Sequence, residues 1–463
     1  MITFQELAES RYLLQQFCKL HFPSIEYFSA GLSFAVHREE VESGQLAGDQ
    51  ARHLTSSATC YNSLLECPQR YRPEDSRDIK KSSESYAKAA LKRGQPDWTS
   101  DGSAPIYCRC RTLPFVIANI SEWDACIDSH IRTILDQMDQ PERFAIGEAD
   151  PPDDPTKWYR PNAYHTYWAL DLLDRVQRAF GTTKEYQKLD GAIQINKRTT
   201  QMQQWCRESL GYQVSLHSAE STLLDSDQLA WSLASVTRLA KALRANPAEQ
   251  DFVKQAFKCL FGTQKKNGNW QHYAPLFHYK DTGNAYCYIF ESFAELLRKA
   301  LAAGAEFLRA MLKERFPDLM KLWKYAESTQ IVLDTPTKAL AWSSGHRINS
   351  PDAESWATAS VFAYAQNLRR LVGIWAREEA LLALPRKTPH ASPKSAMETL
   401  KKRTRTWASK NTLTDELTSL FLHRSSQKRS LNSKGLNPIN CQLKRTQHEP
   451  LFCMAHQALA RQP

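Results

Sequence analysis

The chain has 463 residues, a net charge of +10, 16 glycines and 11 scattered cysteines, and its mean hydropathy is −0.53. This length can bury a large core, and the low glycine content disfavours a fold rich in tight β-turns. The sequence has no apolar run of about 18 residues and no signal-peptide pattern, so we expect no membrane partner and a reducing, cytoplasmic setting.

The positive charge is concentrated in the C-terminal part of the chain. Residues 385–463 hold 15 Lys and Arg against 4 Asp and Glu, whereas residues 1–384 hold 45 against 46. The main body therefore gives no electrostatic basis for a nucleic-acid partner. Nucleic-acid binding through the basic tail is a minor alternative function, and it would depend strongly on salt.

Several segments of the body share a polar lead followed by an amphipathic helix rich in alanine and aromatic residues. Four of them are residues 162–176, 227–243, 283–301 and 354–372, and residues 53–66 are similar. The four starts lie 56 to 71 residues apart, which leaves room for two helices per unit. No alternation of period two is sustained, so the sequence predicts an all-α fold built from helix pairs.

One local motif lies between two of these helices. The run LFGTQKKNGNW places Gln264, Gly268 and Trp270 in the pattern Q-x3-G-x-W. This pattern resembles the QW motif of α/α toroids of the terpenoid-cyclase and prenyltransferase type. The resemblance implies a structural role, in which the glutamine caps the next helix start, the tryptophan stacks on it and the glycine permits a close turn. It also implies that residues 1–384 form such an α/α toroid.

Candidate catalytic side chains follow no complete motif. Class II terpene cyclases use a DxDD acid, and a related string here is DSD, in which Asp225 or Asp227 is expected to cap the following helix. Glycan-acting toroids use two facing carboxylates, which Glu291 and Glu354 can supply. These four residues are the candidates for an alternative function as a cyclase-like or glycan-acting enzyme.

A second resemblance covers the end of the body. The stretch LAWSSGHRINSPDAESWATASVFAYAQNLRRLV resembles a region of the helical N-terminal domains that are fused to bacterial AAA-type ATPases. His346 and Arg347 belong to its first phrase, and Trp356 belongs to its second. With His278 and Asp281, they are the candidate ligand-binding residues at the toroid mouth, where an unknown protein or small-molecule partner is expected. The spacing of His278 and Asp281 matches no metal-ligand motif, so no metal site is predicted.

The helical pattern weakens after residue 384. Residues 385–424 are predicted to form a linker with a partial helix, and residues 425–463 a disordered or frameshifted tail. In a shifted reading frame, the codons that LFCMAHQALARQP permits allow L-[HY]-G-P-P-G-T-[GS]-K-T, which is a P-loop pattern. The expectation is a non-catalytic binding or regulatory module of a truncated AAA-type ATP-binding protein. It would hold no cofactor, with ATP and Mg bound only by an intact homologue.

Overall fold

A computed structural model of the protein divides the chain into two units, Met1–Ala383 and Leu384–Pro463. All described residues belong to the first unit, so the predicted linker and tail lie outside them. The described residues are 2–43, 53–74, 76–92, 105–138, 144–149, 159–219, 224–237, 246–270, 273–274, 279–280, 288–333, 339–343 and 352–382.

Fifteen α-helices make up most of these described segments. In chain order they are α1 Phe4–Glu26, α2 Arg38–Glu42, α3 Leu54–Glu66, α4 Ile79–Leu91, α5 Pro105–Ala118, α6 Ala125–Leu135, α7 Ala163–Phe180, α8 Lys184–Ile193, α9 Ile195–Ser218, α10 Ser226–Thr237, α11 Pro247–Gly262, α12 Tyr288–Ala300, α13 Glu306–Glu314, α14 Phe316–Ser328 and α15 Ser355–Leu382. The prediction of an all-α fold is confirmed.

Side-chain caps start several of these helices. Thr3 and Glu6 form a reciprocal capping box at α1. Asn162 accepts a hydrogen bond from the main-chain N–H of His165 at 2.8 Å, and Asn246 caps α11 in the same way. These caps satisfy N–H groups that have no partner inside the helix, which is why α1, α7 and α11 begin directly after a short polar residue.

The strands in the described part of the chain are short and form four antiparallel pairs. The pairs are β1 Ser29–Ala30 with β2 Ser33–Phe34, β3 Gly147–Ala149 with β4 Tyr159–Pro161, β5 Tyr273–Ala274 with β6 Tyr279–Lys280, and β7 Ile331–Val332 with β8 Leu340–Ala341. Each pair joins segments close in sequence, so these ribbons are local connections between helices.

Six helices pack against one another in a defined order. Helix α3 contacts α5, α5 contacts α7, α7 contacts α10, α10 contacts α12, α12 contacts α15, and α15 contacts α3. The remaining long helices pack on members of this set: α1 on α15, α4 on α3 and α5, α6 on α5, α9 on α7 and α10, and α11 on α10. The amphipathic segments identified in the sequence correspond to α3, α7, α10, α12 and α15.

The core between these helices is continuous and rich in aromatic residues. Its largest buried side chains include Trp168, Trp231, Trp270, Trp342 and Trp375. Helix α15 carries an apolar stripe, whose four members, Val361, Tyr364, Leu368 and Leu371, are all fully buried. Within the described segments, no helix has both the length and the apolar character needed to cross a bilayer.

Candidate functional site

The candidate acids Asp225 and Asp227 lie at the start of α10 and have different roles. The Asp225 carboxylate accepts hydrogen bonds from the main-chain N–H groups of Asp227 at 2.9 Å and Gln228 at 3.1 Å. Its own N–H group donates to the side-chain oxygen of Gln213 on α9 at 3.0 Å. Asp225 is therefore the residue that caps α10 and ties its start to α9.

Asp227 is buried in the first turn of α10. Only 3% of its surface is exposed, and Oδ1 has no hydrogen-bond partner in the described structure. Burial raises the pKa of Asp227 well above its usual range, and the nearby carboxylates of Asp225 and Glu291 raise it further. Burial also raises the pKa of Asp225 to about 7, although its two main-chain hydrogen bonds oppose the change. Burial and the two nearby carboxylates therefore favour the neutral, protonated form of Asp227.

The candidate Glu291 lies in the first turn of α12 and is paired with an arginine of α5. Arg111 Nε donates to Glu291 Oε1 at 2.7 Å, and both side chains are buried. The Arg111 guanidinium carbon lies 4.1 Å from the ring centroid of Trp168. Burial raises the pKa of Glu291, and the positive charge of Arg111 opposes that rise. Arg111 is thus held between a carboxylate and an aromatic face.

Aromatic rings surround these ionisable groups. The ring centroids of Trp168 and Trp231 are 5.9 Å apart, and Trp231 also contacts Tyr164 at 5.0 Å and Tyr167 at 4.9 Å. The two tryptophans are almost completely buried. The starts of α7 and α10 are therefore joined by a compact aromatic group that leaves the acids in a poorly solvated environment.

A second charged group connects α7 with α12 one to two turns further along both helices. Asp171 accepts from Lys299 Nζ at 3.0 Å and from Arg175 Nε at 2.7 Å. Glu295 accepts from the hydroxyl of Tyr167 and from the guanidinium of Arg298.

Burial of Glu295 raises its pKa, but Arg298 and Lys299 outweigh burial and lower it overall. The lowered pKa favours the ionised form of Glu295, whereas the raised pKa of Asp227 favours its neutral form.

The fourth candidate acid, Glu354, belongs to a different part of the structure. Its carboxylate lies 3.7 Å from Nδ1 of His37, and its N–H group donates to the carbonyl of Trp342 at 2.9 Å. Arg38 lies beside it and pairs with Asp352 at 3.2 Å. The structure therefore brings Asp225, Asp227 and Glu291 together, whereas Glu354 holds the start of α15 against the N-terminal segment.

The QW-like motif has the geometry of a structural brace. Gln264 Nε2 donates to the carbonyl of Gly268 at 2.8 Å and to that of Asp318 at 2.9 Å, and Trp270 Nε1 donates to the carbonyl of Leu260 at 2.6 Å. Gly268 has a φ of +97°. A Cβ there would lie 2.3 Å from a main-chain oxygen of α14. Glycine is therefore required on both conformational and steric grounds.

The contact made by Gln264 differs from the expected cap. The glutamine reaches α14 rather than the next amphipathic helix, α12, and its amide donates to a carbonyl. A helix start has unpaired N–H groups, and these need an acceptor rather than a donor. Gln264 therefore fastens its loop to the first turn of α14 without capping it.

The expected ligand-binding residues can be placed only in part. Trp356 is half-buried in the first turn of α15, and its carbonyl accepts from the hydroxyl of Ser360 at 2.8 Å. The other four, which are His278, Asp281, His346 and Arg347, lie outside the described residues.

Arg111 is not among the residues predicted from the sequence, although the sequence contains a signal for it. Arg111 stands in the run YCRCRTLPFVIA, where two arginines interrupt an otherwise apolar and cysteine-rich segment. A charge in such a segment requires a buried partner. The adjacent Cys108 and Cys110 are buried thiols.

Across the described ranges, no group of three or more His, Cys, Asp or Glu side chains is arranged to hold a metal ion. No protein-family model matches the sequence, and a search of curated proteins found no match.

Proposed function

We propose that residues 1–384 form an α/α toroid. We further propose that this toroid is a non-catalytic module, which binds a ligand or partner within an AAA-type ATP-binding protein. The sequence of contacts among the six helices returns to its start, because α15 contacts α3, and the other long helices contact members of this set. In the proposed toroid these six are the inner helices and the others are the outer ones. Alternation of inner and outer helices along the chain is typical of such toroids. The resemblance of the region around Trp356 to the AAA-associated domains supports the second part of the proposal.

The non-catalytic role is supported by one observation: side chains fill the centre of the proposed ring. In the proposed ring, α5 and α12 stand opposite each other, yet Arg111 and Glu291 are in contact at 2.7 Å. A contact between opposite members of a ring must cross its centre. Asp171 and Lys299 make a second contact between helices that are not neighbours in the ring.

The rings of Trp168 and Trp231 also lie at the centre, since Trp168 contacts Arg111 and Trp231 contacts Trp168. A terpenoid or glycan substrate would have to displace these ion pairs and rings, which is costly for buried charges. A ligand that binds at the mouth, near the starts of the inner helices, displaces none of them. The partly buried Trp356 is the described aromatic side chain that fits this location.

The test is a ligand screen with matched tryptophan variants. A panel of metabolites is screened by thermal shift against the wild type, Trp356→Ala and Trp205→Ala. The last variant is the control, because Trp205 is also partly buried but lies on the proposed outer helix α9. The expected ligand raises the unfolding midpoint of the wild type and Trp205→Ala but not of Trp356→Ala, and mass spectrometry recovers it unchanged. Chemical conversion of the ligand, or equal shifts in both variants, would contradict the proposal.

The link to an ATPase is tested separately from binding. We expect the DNA downstream of the P-loop pattern, read in the shifted frame, to encode a Walker B-like acidic strand. Absence of such a strand would remove the ATPase part of the proposal and leave the binding part intact.

A second candidate function is an enzyme that protonates an apolar polyene. It is favoured by one observation, the buried carboxyl group of Asp227, whose Oδ1 has no hydrogen-bond partner in the described structure and whose raised pKa favours the protonated form. A positioned neutral carboxylic acid among aromatic rings can donate a proton and stabilise a developing carbocation. Gas chromatography of a polyene incubated with the protein tests this. Product formed by the wild type and lost at least 100-fold in Asp227→Asn supports the enzyme, and no product from the wild type rejects it.

A further inference from the structure

A group of five cations lies where α1, the short 3-10 turn Gln69–Tyr71 and α15 meet. We call it the basic cluster, and it consists of Arg11, Lys19, Arg70, Arg369 and Arg377. Three of its members surround one ring: the Arg70 and Arg369 guanidinium carbons each lie 4.9 Å from the ring centroid of Tyr71, and Lys19 Nζ lies 5.9 Å from it.

The other two members meet at Gly373 on α15. Arg377 Nε donates to the carbonyl of Gly373 at 3.0 Å. The Arg11 guanidinium lies so close to this glycine that an added Cβ would be 3.1 Å from Arg11 Nε. The glycine therefore lets Arg11 lie directly against the helix.

The basic cluster has no carboxylate partner in the described structure. Elsewhere in the body, buried cations such as Arg111 and Lys299 are paired with acids. None of the five cluster members forms a salt bridge with a described residue, and none has a further contact of that kind.

Arg369 is the most deeply buried member of the basic cluster that lacks a carboxylate partner. It is only 4% exposed, and its hydrogen-bond partners are neutral: Gln366 Oε1 at 3.0 Å and the Tyr71 hydroxyl at 3.3 Å. A buried charge without a counter-ion is destabilising. Burial lowers the pKa of Arg11, and repulsion from Arg369, Arg377 and Arg70 lowers it further, while Tyr71 opposes these effects.

The body as a whole has enough acids to neutralise its cations, so the concentration of unpaired positive charge here requires a separate explanation. We propose that the basic cluster binds a compact oligophosphate group, such as the phosphate chain of a nucleotide. Guanidinium groups offer paired donors that match phosphate oxygens, and four of the five members are arginines. The five charges are gathered around one tyrosine and one glycine, which suits a short, highly charged anion rather than a long polymer. This site is separate from the toroid mouth and does not depend on the function proposed there.

The test measures pyrophosphate binding to the full chain by calorimetry at low ionic strength. The wild type is compared with Arg11→Gln/Arg377→Gln, which removes the two members that meet at Gly373 and leaves the buried Arg369 in place. The matched control is Arg178→Gln/Lys254→Gln, which removes two cations that are paired with Asp174 and Asp251. The net charge changes by the same amount in both double variants.

We expect saturable binding to the wild type and the control, and at least a tenfold weaker affinity in the cluster variant, since charge-assisted hydrogen bonds are lost. No saturable binding by the wild type, or equal weakening in both double variants, overturns the proposal. A nucleoside triphosphate that competes with pyrophosphate supports a nucleotide as the source. A single-stranded oligonucleotide that binds more tightly than the triphosphate, with a steep salt dependence, overturns the compact ligand in favour of a nucleic-acid backbone.

Discussion

The buried cap at the start of α10 gives a prediction with a definite sign. Replacement of Asp225 by Asn keeps a side-chain oxygen for the N–H groups of Asp227 and Gln228, which are 2.9 and 3.1 Å away. The substitution removes the carboxyl group, the pKa of which is raised to about 7 by burial. An acid with a raised folded-state pKa binds its proton more tightly in the folded protein. Its contribution to stability therefore falls as pH rises from the unfolded pKa to the folded one.

The size of this effect follows from the pKa change. Between pH 5 and pH 7, the free energy of unfolding of the wild type falls by up to about 1.4 kcal/mol per pH unit because of this group. The Asn variant has no such loss. The stability of Asp225→Asn relative to the wild type should thus increase by roughly 3 kcal/mol between pH 5 and pH 8.

Urea unfolding followed by circular dichroism at several pH values measures this difference. Asp78→Asn is the matched control, because Asp78 caps α4 through the N–H group of Lys81 but is exposed. We expect the stability of the control relative to the wild type to change little over the same range. A relative stability of Asp225→Asn that is constant, or that falls with rising pH, would refute the reasoning, since it would mean that the cap is stabilised as a charged group.

Three further substitutions test the brace and the interior ion pair by chemical denaturation. Gly268→Ala should destabilise the protein by about 3 kcal/mol, because Gly268 has a positive φ and the added Cβ would clash with a main-chain oxygen of α14. The control is Gly191→Ala on the exposed face of α8, where an added Cβ has no atom within 4 Å. We expect the control to be neutral or slightly stabilising. Trp270→Phe should cost about 1 kcal/mol, because it removes the 2.6 Å hydrogen bond to a buried carbonyl, and an unchanged midpoint would argue against the brace. Glu291→Gln should cost about 2 kcal/mol at pH 8, since Arg111 loses its charged partner, and a stabilised variant would show that the pair is not needed.

The sequence alone was enough to predict the all-α class and the positions of the amphipathic helices α3, α7, α10, α12 and α15. Apolar residues at helical spacing in segments such as 354–372, and short polar residues such as Asn162 and Asp225 before them, are local signals that act within one or two turns. The turn with Gly268 was also readable, because its pattern spans only seven residues from Gln264 to Trp270.

The partners of the charged side chains, in contrast, were determined by the tertiary structure. Arg111 and Glu291 are 180 residues apart in sequence, and Arg369 and Tyr71 are 298 apart, so no local pattern links them. The side chain of Gln264 likewise reaches a helix 54 residues away that its motif does not specify. Helix periodicity determines which residues share a face, but only the packing of helices determines which charge meets which partner and how much water is excluded. For that reason the sequence identified Asp227 as a candidate acid, whereas only the fold buries its carboxyl group and raises its pKa.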